Sequence, residues 1–279
     1  MLGPRVITAL VLLAVLLPAI FVFPPLVWGV LTLGFLAVAA WEWARLLPAR
    51  AGGRAGAGAK LAAGAVLAAG AAALAWREHA PWPPMLVAGA CLLLLAFWVI
   101  AAPARLSRHE ARSGGAPLAA ALLFGCWCAL YELRLLGPVP LLSSMAVIWV
   151  ADIAAYFFGR ALGRRKLAPS ISPGKSWEGA VGGFFAVAVA GLLAAGAPAL
   201  QDSLPALLVQ RTGPVLAVAA LVAIAALSIV GDLHESLLKR EAGVKDSGWI
   251  LPGHGGVLDR IDALIPTMPA ALLLYQLLR

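Results

Sequence analysis

Residues 214–240 read PVLAVAALVAIAALSIVGDLHESLLKR. No residue from Pro214 to Gly231 is charged. A run of this length and character fits a bilayer-crossing helix, which takes about 20 predominantly apolar residues. The run stops at Asp232. An ionisable side chain at membrane depth is costly and points to function by default, so one stretch bears on both the fold class and the chemistry. The rest of the chain extends the reading. Of 279 residues, 62% are hydrophobic and 12% charged, against about 45–50% and about 25% in soluble domains. That balance argues against a water-soluble domain. It also argues against disorder, which needs low hydrophobicity and high charge. A transmembrane barrel would show short alternating segments, whereas the apolar runs here are continuous.

Charge punctuation leaves nine apolar stretches, at about 6–23, 25–41, 61–76, 84–102, 117–131, 139–158, 179–199, 214–231 and 261–278. The expectation is an all-α, polytopic integral membrane protein with about nine transmembrane helices. Arg5 precedes the first stretch in the manner of a signal peptide. No small-residue cleavage site follows closely, so it reads as an uncleaved helix. Pro24-Pro25 marks a tight turn after it. The basic residues alternate between loops. One side takes Arg5; Arg45, Arg50, Arg54 and Lys60; Arg105, Arg108 and Arg112; Arg160, Arg164, Arg165, Lys166 and Lys175; and Lys239, Arg240, Lys245 and Arg260. The other takes only Arg77, Arg134, Arg211 and Arg279. By the positive-inside rule the N-terminus is cytoplasmic and the C-terminus outside, in a multi-pass protein of a bacterial-type inner membrane. The net charge of +8 is then mainly a topology signal that also suits anionic lipid. It does not read as nucleic-acid binding, because the basic residues are spread over five segments without an aromatic reader motif. Ala/Gly-rich residues 49–75 read as a flexible loop leading into a small-residue helix. The chain divides into N-terminal membrane helices, 1–140, and a chemistry-bearing part, 141–279.

Eight of the 13 acids fall in two segments placed on the cytoplasmic side. Asp152 and Glu178 lie in 151–178; Asp232, Glu235, Glu241, Asp246, Asp259 and Asp262 lie in 231–262. Read helically from Asp232, Glu235, Ser236 and Lys239 share its face at +3, +4 and +7. Asp259 and Asp262 share a face at the start of the last helix. These carboxylates suit Mg²⁺, a hard cation held by one or two carboxylates plus substrate phosphates; they equally suit helix caps and interface charges. The turn Pro252-Gly253-His254-Gly255-Gly256 offers backbone N–H groups to a phosphate, or simply joins two helices. Lys239, Arg240, Lys245 and Arg260 flank it as polyphosphate clamps or as topology charges. Gly174-Lys175-Ser176 imitates the end of a phosphate-binding loop, but Pro169 stands where that motif requires Gly. The segment reads instead as a helix cap with Ser172 and Ser176 as phosphate contacts. Arg160, Arg164, Arg165 and Lys166 suit an anionic headgroup or a solvated loop. Cys91, Cys126 and Cys128 read as small buried hydrophobes. Glu42, between Trp41 and Trp43, reads as part of an interfacial anchor, and Glu132 and Arg134 as solvated loop residues.

The run Ser236-x-x-Lys239-Arg240-x4-Lys245-Asp246-x-Gly248-x3-Pro252-x-His254-Gly255-Gly256-x-x-Asp259-Arg260-x-Asp262 resembles the signature of phosphatidate cytidylyltransferases. Asp152, Tyr156-Phe157-Phe158-Gly159-Arg160, Lys166, Ser172-Pro173, Lys175, Trp177-Glu178-Gly179 and Gly231-Asp232 with Glu235-Ser236 are similar to that family as well. Residues 150–265 carry most of the likeness, and the first 140 residues match mainly in hydropathy and in the Glu42 region. It departs at Ile153-Ala154, where a small hydroxyl residue and Gly are more usual, and at Ser176, where Thr is common. The resemblance implies that CTP and phosphatidate give CDP-diacylglycerol and pyrophosphate with Mg²⁺, and with a second, monovalent cation such as K⁺. It implies metal ligation by Asp232 and Asp259, with Asp246 and Asp262 next in line as ligands or their partners. It implies phosphate handling by Lys239, Arg240, Lys245, His254 and Arg260, and substrate contacts at Arg160, Lys166, Ser172, Lys175, Ser176, Ser236, Gly255 and Gly256. A homodimer in the bilayer, with no nucleic-acid partner, completes the expectation. The alternatives are a CTP-dependent lipid-alcohol kinase and an ion-coupled transporter. The paired broken helices that a transporter shows are not evident.

Overall fold

The computed structural model describes residues 3–48 and 56–279. Arg50, Arg54 and the loop expected at the start of 49–75 lie outside the described residues. The helices are α1 (Gly3–Phe21), α2 (Pro25–Leu46), α3 (Ala57–His79), α4 (Pro84–Ala96), α5 (Ala102–Arg108), α6 (Gly115–Leu136) and α7 (Pro138–Leu162). A hairpin of β1 (Lys166–Ala168) and β2 (Ser172–Ser176) follows. Then come α8 (Trp177–Gly196), α9 (Leu204–Ala242), the single turn α10 (Leu258–Ile261) and α11 (Leu264–Leu278). Among the described residues, eight helical spans are long and apolar enough to cross a membrane, and a ninth apolar helix, Val6–Phe21, is shorter. The chain is an all-α polytopic membrane protein with one small hairpin.

Proline sets many of the boundaries. Pro25, Pro84 and Pro138 each open a helix, where the missing N–H costs nothing and the fixed φ is already helical. A π-turn, Phe97–Ala101, joins α4 to α5; Pro103 just beyond it cannot supply the N–H due to Val99, and such turns absorb a break in the ladder. Gly213-Pro214 breaks α9, with Gly213 at φ 79° and ψ 166°. Residues 204–212 therefore form a short separate helix. The segment 214–242 runs unbroken well past the apolar run that ends at Gly231.

Inside a bilayer, packing and hydrogen bonds hold helices together, because lipid is as apolar as leucine. Helix α11 is the centre, buried along most of its length and packed on α4, α6, α7 and α9. Three indole N–H groups find carbonyls: Trp28 on Leu130, Trp127 on Gly29, and Trp82 on Ala73. The first two pin α2 to α6. Helices α7 and α8 approach backbone to backbone. A Cβ on Gly179 would stand 2.7 Å from the Ala155 carbonyl oxygen, and one on Gly183 would stand 2.8 Å from that of Ala151. This is the small-xxx-small spacing that lets membrane helices touch closely.

Hydrogen bonds sort the helix ends onto two faces. On one, Thr8 of α1 donates to the Pro252 carbonyl, Glu42 of α2 accepts from Leu258, Glu241 of α9 accepts from Ala111 and Arg112, and Arg240 donates to the Ile171 carbonyl at the hairpin tip. On the other, Arg134 donates to the Phe23 carbonyl, Tyr275 to that of Asp202, and Leu204 to the Ser143 hydroxyl. The first face carries the basic-rich ends, so the alternation read from charge is present in the bundle. Glu132 and Arg134 are corrected: both lie in α6, Arg134 is buried, and Glu132 pairs with Arg77 at 3.5 Å.

Candidate active site

The residues expected in two loops lie largely on helices and the hairpin. Asp152, Tyr156 and Arg160 are on α7, and Asp232, Glu235, Ser236, Lys239 and Arg240 occupy the last turns of α9. The hairpin pairs Lys166 with Ser176 and Ala168 with Ser172. Gly174-Lys175-Ser176 is part of strand β2, not a loop cradling a phosphate. Ser176 caps α8, its hydroxyl accepting from the Gly179 N–H at 3.2 Å, as expected of the segment. Glu178 folds back to accept from the Arg164 and Arg165 N–H groups at 3.1–3.2 Å, which fixes the hairpin against α8.

Two charge clusters meet at the end of α9. Lys175 reaches across from β2 to Asp232, Nζ to Oδ2 2.5 Å, and the Ser236 hydroxyl donates to Asp232 Oδ1 at 3.2 Å. One turn on, Lys239 Nζ lies 2.5 Å from Glu235 and 2.7 Å from Asp259 Oδ1. Asp259 Oδ2 accepts from the Ser247 N–H, the Ser247 hydroxyl and the Gly256 N–H at 2.8–3.0 Å. A carboxylate offers about four lone-pair sites, so protein donors already occupy Asp259. Asp262 lies beside the end of α9 that carries Asp232: a Cβ on Gly231 would stand 2.6 Å from the Asp262 carbonyl oxygen, and the Asp262 carboxylate accepts from the Ala263 N–H at 2.7 Å.

The loop between α9 and α10 is a built structure. Leu251 N–H donates to the Gly255 carbonyl and His254 N–H to that of Leu251, a tight turn that requires φ of 83° at Gly255. Arg260 donates twice to the His254 carbonyl, at 3.0 and 2.7 Å. The guanidinium expected on a phosphate thus braces the turn. Lys245 and Asp246 are exposed on it. Gly256 has no room for a side chain: a Cβ would run into Ser247 Oγ and stand 2.7 Å from Glu42 Oε2.

Glu42 does not lie where its tryptophan neighbours suggest. It is fully buried, at 0% exposure, not at an interfacial rim. Its Oε2 accepts from the Leu258 N–H at 2.8 Å and the Ser247 hydroxyl at 3.4 Å. The signal was present: an acid in an apolar helix is as costly at position 42 as at 232, and the flanking tryptophans masked it. Glu235 and Asp152 were likewise underweighted. His234, fully buried, packs against Trp43, Phe97 and Trp98 with ring centroids 5.5–6.0 Å away. It ties α9 to α2 and the π-turn.

A cavity of about 500 Å³ opens beside these clusters between α7, α8, α9 and the hairpin, within the range of small-molecule sites. Asp152, Ser172, Lys175, Ser176 and Asp232 line its polar end, and Gly183, Phe184, Ala225 and Ile229 its apolar end. Of the expected substrate contacts, Ser172, Lys175 and Ser176 line this cavity, and Ser236 touches it through Asp232. Gly255 and Gly256 belong to the Asp259 loop. Arg160, beside Tyr156 at 3.2 Å, and Lys166 are exposed nearby, and Arg240 faces the hairpin.

Similar proteins bear on this arrangement. A phosphatidate cytidylyltransferase of Pseudomonas aeruginosa is 41% identical over 98% of this chain and 97% of its own length. That of Haemophilus influenzae is 49% identical over 46% of this chain and 43% of its own. That of Thermotoga maritima is 41% identical over 51% of each. The sequence pattern of the cytidylyltransferase family matches residues 3–278, a span that takes in α2 with Glu42 as well as the two charge clusters, and the chain therefore belongs to that family.

Proposed function

We propose that this protein transfers the cytidylyl group of CTP to phosphatidate, giving CDP-diacylglycerol and pyrophosphate, with Mg²⁺ bound at Asp232 and Asp262. The observation that carries the reading is the cavity itself. Its polar end holds Lys175 on Asp232, beside the Glu235–Lys239–Asp259 cluster, and its far wall is apolar. An anionic headgroup joined to a lipid matches that polarity.

A phosphate oxygen of phosphatidate attacks the α-phosphorus of CTP, a new P–O bond forms, and the bond to the β-phosphate oxygen breaks. Pyrophosphate leaves with the electron pair. The attacking oxygen is already anionic, so no strong general base is needed. The protein positions two polyanions and offsets their repulsion. Lys175 and Lys239 each rest on carboxylates and can exchange one partner for a phosphate oxygen. Arg240 and Lys245, both exposed, gather the triphosphate.

Among the described residues no group of three or more His, Cys, Asp or Glu side chains could hold a metal alone. One or two carboxylates plus substrate phosphates is, however, the usual Mg²⁺ arrangement, and Asp232 with Asp262 fits it. Asp259 would join only by releasing Lys239. Bound Mg²⁺ would supply Lewis-acid polarisation of the phosphoryl oxygens. By the positive-inside rule the basic-rich site face is cytoplasmic, in a bacterial-type inner membrane.

The test is pyrophosphate release by purified protein given CTP, phosphatidate and Mg²⁺. Release should need all three and fall steeply in Asp232→Asn. Near-normal release by that variant, or release without phosphatidate, contradicts the reading.

A further inference from the structure

A second cavity, of about 390 Å³, lies farther along the α7–α8 seam toward the opposite face. On α7 the first cavity is lined by Ala151 and Ala155 and the second by Ser143 and Val147, one continuous stripe of four-residue steps. On α8 the stripe runs from Gly179 and Gly183 in the first cavity to Val187 and Gly191 in the second. The two cavities are separate spaces that follow one another along the α7–α8 seam.

The second cavity is apolar. Its hydroxyls are already engaged: Ser143 donates to the Pro140 carbonyl and accepts from Leu204, and Ser203 accepts from Ala206. Apart from these two serines the lining offers no polar side chain to a ligand. Its floor, Leu200 to Pro205, is tied down by the Leu204–Ser143 and Tyr275–Asp202 bonds. From Asp152 to Ser143 along α7 is about 14 Å at 1.5 Å per residue. One leaflet's acyl chain spans about 15 Å, half the hydrocarbon core.

We propose that this cavity receives the distal part of one acyl chain of the lipid substrate whose phosphate is held at Lys175 and Asp232. The inference rests on the cytidylyltransferase reading for the identity of that lipid. Ala146 and Ala190, small residues on facing helices, set the depth available to the chain.

The test uses phosphatidate bearing a diazirine at the end of one eighteen-carbon chain, cross-linked into the intact protein and mapped by mass spectrometry. Labelling should concentrate on 139–150 and 187–194 and fall severalfold in both Ala146→Phe and Ala190→Phe. Labelling spread over lipid-facing helices, or unchanged in both variants, overturns the proposal. Turnover gives a second readout. In both variants kcat/KM for dioleoyl phosphatidate should fall about tenfold or more while that for the dioctanoyl lipid stays within about twofold. Equal loss on both lipids, or no loss, overturns it. Wild-type protein forming no CDP-lipid from either chain length defeats the enzymatic reading instead, while the cross-linking still decides whether an acyl chain occupies the cavity.

Discussion

Removing Glu42 should loosen the loop that holds Asp259 although no part of Glu42 belongs to that loop. In Glu42→Ala the Leu258 N–H loses its 2.8 Å acceptor and the Ser247 hydroxyl one of its two carboxylate partners. Leaving a buried donor unsatisfied costs about 1–3 kcal/mol, and a second, weaker hydrogen bond adds about 0.5–1.5 kcal/mol. The sum is on the order of 2–4 kcal/mol. At about 1.4 kcal/mol per tenfold, the ordered loop should lose roughly 30- to 1,000-fold in relative population. Ser247 and Gly256 both bond Asp259, so the loss should appear as lower kcat/KM for CTP as well as lower Tm. Glu42→Gln keeps an acceptor oxygen of nearly the same size and should recover most of both. The assay is pyrophosphate release in detergent beside thermal unfolding of the same preparations. Wild-type kcat/KM in Glu42→Ala, or a Gln variant as impaired as Ala, would refute the reasoning.

Lys239→Met should be both unstable and inactive, because it leaves Glu235 and Asp259 buried without their cation, and breaking a buried pair costs about 3–5 kcal/mol. Adding Glu235→Gln should restore much of the Tm without restoring turnover, measured by melting and product formation. Gly183→Val should destabilise strongly, since even a Cβ would stand 2.8 Å from the Ala151 carbonyl; a melting temperature within a few degrees of wild type would contradict the close α7–α8 approach. Ser176→Ala removes a helix cap worth about 1 kcal/mol and should lower Tm modestly while leaving catalysis measurable. Asp232→Asn should shift the Mg²⁺ dependence of any residual activity to higher concentration, read from an Mg²⁺ titration after chelation.

Much of this was legible in the primary structure, and for identifiable reasons. Helix number followed from uninterrupted apolar runs. The Asp232–Ser236–Lys239 face followed from the helical period, and the family likeness from a spaced run of charged residues and glycines. What escaped were relations between distant segments. Nothing local connects Glu42 with Leu258 or Lys175 with Asp232. Those pairs exist because buried indole bonds pin α2 to α6, and because the Gly179–Gly183 stripe draws α7 and α8 together. The hairpin also escaped, since three- and five-residue strands leave almost no periodicity to read. Nor does anything local show that Arg260 donates to the His254 carbonyl, across the turn that Gly255 makes at positive φ.

The central claim is that the lipid receives the α-phosphorus of CTP. The direct measurement is a pair of reactions with purified protein, phosphatidate and Mg²⁺, one containing CTP labelled with ³²P at the α-position and the other at the γ-position. The account predicts α-label in the lipid fraction and γ-label in water-soluble pyrophosphate. Label from the γ-position in the lipid would make the protein a lipid kinase, and no label in the lipid from either would leave the charge clusters without the chemistry assigned to them.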